Sequence, residues 1–356
     1  MKKIFREMAD LLLNGESFVV ATVFDQSGSA PRRSGAKMLL REDGKIRGTI
    51  GGGRLEADAI QVARQVLLSK QPVIWPFELT GKDASSMDMI CGGHGQVLLE
   101  FIDGKDEINR IIYEEAMVIL ETKGKGWLIT SLCDGQEPDA QQYLIKRDGA
   151  VVGRFEGDIK LLSKLILVSS SGPACTSIHS EELGNRKYLV EPLRNSGTVY
   201  IFGAGHVSQN IAPLSEMVGF KTVVLDDRSE YANSERFPAS SEITLLESFD
   251  RLPELAIDED GYIVIVTRGH LHDKTILAQA LKTKAGYIGM IGSRRKREKI
   301  FEMLAGDGFG KQDFDRVYSP IGTDIGAETP EELAVSIVGE LIKVRAEKEK
   351  CVQKKI

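Results

Sequence analysis

Val199-Tyr-Ile-Phe-Gly203-Ala-Gly205-His206-Val-Ser208 constrains this chain more than any other stretch: a short apolar run enters a glycine turn and leaves it as a helix. Such a run suits a strand buried on both faces, the condition of a parallel sheet. The glycines let backbone N–H groups approach a phosphate, and a helix N-terminus adds a field that favours an anion. Four similar runs follow at 222–225, 243–246, 263–267 and 287–291, with helix-length spacers between them. The alternation predicts a doubly wound, Rossmann-like parallel sheet over residues 197–347, in the strand order 3-2-1-4-5. Asp226 and Asp227 lie about 20 residues past the turn, where an acidic residue commonly receives a ribose hydroxyl. Ser208 replaces the third glycine of the dinucleotide fingerprint, which weakens the expectation of a close pyrophosphate contact.

In this order strands 1 and 4 are neighbours, and ligands sit at their carboxyl ends. Gly203, Gly205 and His206 follow strand 1; Arg268-Gly-His270-Leu-His272-Asp273 follows strand 4. Three histidines are therefore expected near one crevice, as ligand contacts or, on the plainer reading, as helix caps. A metal on these histidines and Asp273 is a weaker alternative. After strand 5, Gly292-Ser293-Arg294-Arg295-Lys296-Arg297 opens a helix with positive charge, which the helix dipole disfavours. That misplacement suggests a nearby phosphate or carboxylate; a solvated face is the competing reading.

With 356 residues the chain exceeds one typical core, so a second domain is expected. Residues 1–170 read as a mixed α/β domain. An amphipathic helix leads to a strand at 18–24, a loop Gly28-Ser29-Ala-Pro-Arg32-Arg-Ser-Gly35, and a hairpin turning at Asp43-Gly44. Gly51-Gly52-Gly53 then opens a helix and forms a second anion-ready terminus. Strands at 73–79 and 96–102 flank a loop with Cys91-Gly92-Gly93-His94. The glycines leave the sulfur uncrowded, as a reactive or metal-binding thiol requires, although a buried loop cysteine is the default. Residues 171–196, rich in Ser, Gly, Pro and Asn, read as the connection, with some structure at Tyr188–Leu193, and 348–356 as a tail.

The net charge of −6 argues against a general nucleic-acid binder, and no apolar run approaches the length of a membrane span. The first residues lack a signal-peptide core, so a cytoplasmic, reducing setting is expected, with the four cysteines as free thiols. A homodimer is the default for such a protein.

Taken together and in order, these motifs resemble the xanthine dehydrogenase accessory factor (XdhC/CoxI) family. The resemblance rests on Gly28–Met38, Gly48-Thr-Ile-Gly-Gly-Gly-Arg-Leu-Glu56, Cys91-Gly-Gly93, Gly203–Val207, Asp226-Asp-Arg228, Gly269-His270 with Asp273, Tyr287–Lys296 and Ser319–Ile337. It implies a chaperone that binds the molybdopterin form of molybdenum cofactor, assists its sulfuration with a cysteine desulfurase, and passes it to apo-xanthine dehydrogenase or a related molybdenum hydroxylase. On that reading Cys91 ligates molybdenum or carries a persulfide. Ser29, Arg32, Gly51, Gly52, Gly53, Gly92 and Gly93 offer one anion site; Gly203, Gly205, His206, Asp226, Asp227, His270, Ser293 and Arg294 offer another. His94 departs from the acidic or small polar residue expected beside the cysteine. Two other readings stand: an NAD(P)-dependent oxidoreductase with His270 as acid or base, and a non-catalytic nucleotide sensor or scaffold.

Overall fold

Side-chain alternation builds the first sheet. In β1 (Phe18–Ser27), Val19, Ala21 and Val23 take one face while Phe18, Val20, Thr22 and Phe24 take the other, and all are buried. A computed structural model of the chain describes residues 1–27, 34–78, 93–122, 124–133, 139–155, 176–180, 186–253, 255, 257–268 and 270–353. The chain divides into two units, residues 1–195 with 349–356 and residues 196–348.

In the first unit β1 pairs antiparallel with β2 (Lys37–Arg41) and β5 (His94–Ile102). With β3 (Ile46–Gly48) and β4 (Val73–Glu78) the order is β3-β2-β1-β5-β4. Helix α2 (Gly53–Ser69) covers the Val19–Ala21–Val23 face through Leu55, Ala59, Ala63 and Val66. The opposite face packs on α1 (Lys2–Leu13), α3 (Glu107–Glu121) and a second antiparallel sheet. That sheet runs β8-β7-β6-β10-β9, from β6 (Lys125–Cys133), β7 (Asp139–Lys146), β8 (Val151–Gly153), β9 (Thr176–Ser180) and β10 (Arg186–Arg194). Each large apolar side chain buried here contributes about 1.5–3 kcal/mol.

The segment read as a connection, 171–196, therefore contains two strands. β10 pairs with β6 from Arg186↔Cys133 to Arg194↔Lys125. The polar, Pro-containing segment Arg186–Arg194 is a strand because tertiary pairing overrides local composition.

Between the sheets lies a buried polar cluster. Lys37 Nζ donates to Glu191 Oε2 at 2.8 Å and to Thr22 Oγ1 at 2.8 Å; the Lys37 and Glu191 side chains are 6 % and 4 % exposed. Gln142 Nε2 donates to Glu100 Oε1 at 3.1 Å. Burial pushes the Glu100 carboxyl up to about 7, outweighing the pull of Lys37.

The second unit is the Rossmann-like sheet. β11 (Thr198–Phe202), β12 (Lys221–Asp226), β13 (Glu242–Leu245), β14 (Gly261–Ile265), β15 (Tyr287–Met290) and β16 (Val317–Tyr318) are all parallel, in the order β13-β12-β11-β14-β15-β16. The expected five strands are in place; β16, only Val317–Tyr318, is too short to announce itself in sequence. Helices α4 (His206–Met217), α5 (His270–Ala280), α6 (Arg294–Gly306), α7 (Lys311–Phe314) and α8 (Pro330–Gln353) complete the unit's elements. At the start of α8, Thr329 Oγ1 accepts from the Glu332 amide at 3.2 Å and Glu332 Oε2 accepts from the Thr329 amide at 3.1 Å, a capping box.

Two measurements probe the buried cluster. Lys37→Met leaves Glu191 without its cation and is expected to cost about 3–5 kcal/mol, whereas adding Glu191→Leu restores most of the loss. Amide exchange of β1 and β5 in urea measures this within the first unit. Glu100 retains its proton up to about 7 when folded, against 4.5 in its ordinary state. The unfolded chain then binds fewer protons, so stability falls as the pH rises through that window. Glu100→Gln removes this slope, with an expected gain of about 2–3 kcal/mol at pH 8 and almost none at pH 4.

Candidate functional site

The β1–β5 register sets Ser27 opposite His94, and β4 sets Glu78 opposite the same residue. β2 begins at this end with Lys37 opposite Thr22, and β3 finishes there with Gly48 opposite Met38. Segments 28–33, 49–53 and 79–93, which carry the N-terminal motifs, thus all join the sheet at one end. Ser29, Arg32, Cys91 and Gly92 lie outside the described residues; Gly93 is buried at the foot of β5.

The described groups at this end are polar and interlocked. Ser27 Oγ lies 2.9 Å from His94 Nε2. Lys187, from β10, donates to Asp25 Oδ2 at 2.7 Å and to Gln96 Oε1 at 2.9 Å, with its ammonium 4.6 Å from the centre of the Phe24 ring. Asp25, Phe77, Glu78, His94, Gln96 and Lys187 line a cavity of about 710 Å³. Sequence reasoning missed Lys187, whose sole signal was its period-two spacing with Leu189 and Glu191.

The Gly51-Gly52-Gly53 terminus already has a carboxylate of its own. Glu56 Oε2 accepts from Thr49 Oγ1 at 2.6 Å and from the Gly52 amide at 3.2 Å, and Thr49 Oγ1 accepts from the Gly51 amide at 3.1 Å. Two of the three amides expected to meet an external anion are thus engaged within the chain. Gly48 cannot carry a side chain: its φ is +74°, and a Cβ would stand 2.4 Å from the Lys37 carbonyl oxygen.

In the second unit the glycine turn forms as expected. Gly203 has φ +105°, and a Cβ there would lie 2.6 Å from the Val266 carbonyl oxygen, whereas Gly205 faces open space. Ser208 Oγ donates to the Gly203 carbonyl, so the residue in the third glycine position ties the helix back to its own turn. Asp226 is 1 % exposed; its Oδ2 accepts the Ala204 amide at 2.8 Å, and both oxygens accept from Arg228. Burial raises its affinity for a proton, but the Arg228 and Ala204 bonds prevail and hold its carboxyl below the usual range. Asp226 therefore fastens the turn, and Asp227 is the acid left nearer to solvent. Asp227 Oδ2 accepts from Arg268 at 2.9 Å, and its Oδ1 stands 3.8 Å from Arg228 Nε.

His206 is exposed at the start of α4, and His270 is the first residue of α5. The His272 ring lies 5.2 Å, centre to centre, from that of Phe249, a member of a buried apolar cluster. Of the residues considered for a metal, Asp273 is engaged within the chain, and the His270 side chain lies outside the described residues. Asp273 is fully buried, paired with Lys296 and accepting from Thr267 Oγ1 at 2.5 Å. Among the described residues no three His, Cys, Asp or Glu groups stand together as metal ligands. Lys296 also explains part of the misplaced positive charge on α6: its counter-ion is the chain's own Asp273. Ser293 caps that helix, accepting from the Lys296 amide at 3.2 Å, while Arg294 and Arg295 face solvent.

Comparison with known proteins gives the same two-part division. The XdhC Rossmann domain matches residues 199–341, and the XdhC and CoxI family matches residues 11–77. A protein of Bacillus subtilis (strain 168) named as a probable xanthine dehydrogenase component is 28 % identical over 342 residues, covering 96 % of this chain and 97 % of that protein. The molybdenum cofactor insertion chaperone PaoD of Escherichia coli (strain K12) is 21 % identical over 350 residues, covering 98 % and 90 %. A crystal structure described as a xanthine dehydrogenase from Bacillus halodurans superposes with a TM-score of 0.77 at 25 % identity, covering 96 % of each chain. Both halves carry the same family's signatures, and relatives align along nearly all of the length: the chain belongs to the XdhC/CoxI family.

Proposed function

We propose that this chain is an accessory protein of a molybdenum hydroxylase: it holds molybdenum cofactor at the motif-bearing end of its first sheet, assists sulfuration, and delivers the cofactor to apo-xanthine dehydrogenase or a related enzyme. The reading rests on the strand ends that flank segments 28–33, 49–53 and 79–93, which lie at one end of the sheet. The family membership and the relative named as a cofactor insertion chaperone support it.

The residues at this end fit such a group. A cavity of about 710 Å³ has room for a pterin, and Lys187, Gln96 and His94 give it polar walls. Ser29 and Arg32 would meet the cofactor's phosphate; Cys91, two residues before Gly93, would offer a soft thiolate to the metal or hold a persulfide. The cofactor supplies its metal-centred redox chemistry only in the client enzyme. This chain's task is to bind, orient and shield the group, with a cysteine desulfurase as sulfur donor and a homodimer as the working form.

A nucleotide on the second unit is the other reading. The open Gly205 favours it. The internal bonds of Asp226 weigh against a dinucleotide held in the usual way.

Anaerobic ultrafiltration with molybdenum cofactor, followed by pterin and metal analysis, tests the main reading. The wild-type chain is expected to retain cofactor and activate apo-xanthine dehydrogenase; Cys91→Ala should lower activation by about tenfold or more. Failure to retain cofactor, or full activation by the variant, overturns it. Titration of NADH fluorescence checks the second reading.

A further inference from the structure

A bulge walls the cavity at the motif-bearing end of the first sheet. Between Phe24↔Gln96 and Ser27↔His94, two residues of β1, Asp25 and Gln26, stand against the single Gly95 of β5. Asp25 lies in the left-handed region, at φ +48°, where few residues other than glycine are comfortable. Bulges and local strain of this kind re-aim side chains and recur beside binding sites.

The bulge brings the Asp25 carboxylate to Lys187. The two meet at 2.7 Å, and Lys187 also donates to Gln96 Oε1 at 2.9 Å. The Lys187 side chain is 16 % exposed and that of Asp25 37 %, so the cation is the inner partner and the carboxylate the outer one. The fully buried Phe24 ring lies 4.6 Å from the ammonium and helps to fix it. Both charges line the cavity. Beside them β4 supplies an apolar wall, with Pro76 opposite Gln96 and Phe77 opposite Gly95. A Cβ at Gly95 would stand 2.7 Å from Phe77 Cζ, so the missing side chain lets that ring lie across β5.

An ammonium donates, and a carboxylate accepts through about four lone-pair sites. A donor next to an acceptor, beside an aromatic wall, matches a flat heterocycle whose edge carries an oxo group next to two parallel N–H groups. The 2-amino-4-oxo edge of a pterin has this order. We propose that the Asp25–Lys187 pair reads that edge: the Asp25 carboxylate accepts from N3–H and the 2-amino group, Lys187 donates to the 4-oxo group, and Phe77 backs the ring. Only hydrogen bonds form; no proton or electron is transferred. The inference rests on the cofactor reading for the identity of the heterocycle, and adds which end of it the chain recognises and with which residues. Guanine presents the same edge, so the test separates the two.

The full chain is titrated into dilute pterin, and separately into lumazine, which has an oxo group in place of the 2-amino group; ligand fluorescence is read near neutral pH. Pterin is expected to bind with Kd below about 0.1 mM. Lumazine should bind about tenfold more weakly or worse, because its 2-oxo group faces the carboxylate. Asparagine tolerates the left-handed backbone, so Asp25→Asn keeps the bulge and should bring the two ligands to within about twofold of each other. Lys187→Met should weaken both, and Lys187→Arg should restore most of that loss. A merely structural role for Asp25 would lower pterin and lumazine alike and leave their ratio unchanged. Circular dichroism checks that the variants are folded. The proposal is overturned by equal binding of pterin and lumazine, by a pterin preference that survives Asp25→Asn, or by no saturation up to about 0.5 mM protein. Guanosine that displaces pterin at concentrations equal to or below the pterin's own overturns the assignment to a pterin. If the chain retains molybdenum cofactor in ultrafiltration yet treats pterin and lumazine alike, this proposal falls and the cofactor reading stands. If it prefers pterin but retains no cofactor, the cofactor reading alone falls.

Discussion

The pairing of β1 with β5 is the constraint from which the first unit is organised. Its partners are 84 residues apart in sequence at Phe18↔Ile102 and 67 at Ser27↔His94, so it must outweigh a substantial loop-closure entropy. It does so because both strands are buried on both faces, against α2 on one side and against α1, α3 and the second sheet on the other. The register is irregular between Phe24 and Ser27, where Asp25 adopts φ +48°. Such an irregularity re-aims a side chain, and Asp25 meets Lys187 from the second sheet. One register thus sets the strand ends that lead into the motif-bearing segments at one end of the sheet and Glu100 toward the other.

The two units treat interior charge differently. In the Rossmann-like unit each buried carboxylate has its own cation: Lys296 for Asp273 and Arg228 for Asp226. These pairs fix the starts of α5 and α6 and the glycine turn, so they define geometry more than they add stability. In the first unit one lysine stands between two glutamates, and the second glutamate remains neutral instead.

The second unit was the more legible in sequence because parallel strands buried on both faces declare themselves as apolar runs, and the turn at Gly203 has few alternative uses. The acidic pair after β12 was also visible, but not the division of labour within it: that Asp226 would be consumed by Ala204 and Arg228 depends on the closeness of β11 to β12. In the first unit the motif segments were visible as motifs, whereas their convergence was not, since antiparallel order cannot be read from spacing. Within the connection only Tyr188–Leu193 showed some structure in sequence, because Pro192 and the charged neighbours mask a full strand that pairs with β6. Lys187, Glu191 and Glu100 were silent for a related reason: a charge in an alternating strand signals solvent until the facing sheet is known.

Gly48 joins two properties that a geneticist would want to separate. It belongs to a signature segment, yet the atom that any added side chain would strike is the carbonyl of Lys37, whose ammonium spans the two sheets. Alleles recovered at this glycine in a search for lost cofactor supply would therefore report on scarcity of folded protein, and abundance in the cell would fall together with client activity. Steady-state protein measured beside the phenotype would set such alleles apart from any that lose activity at normal abundance.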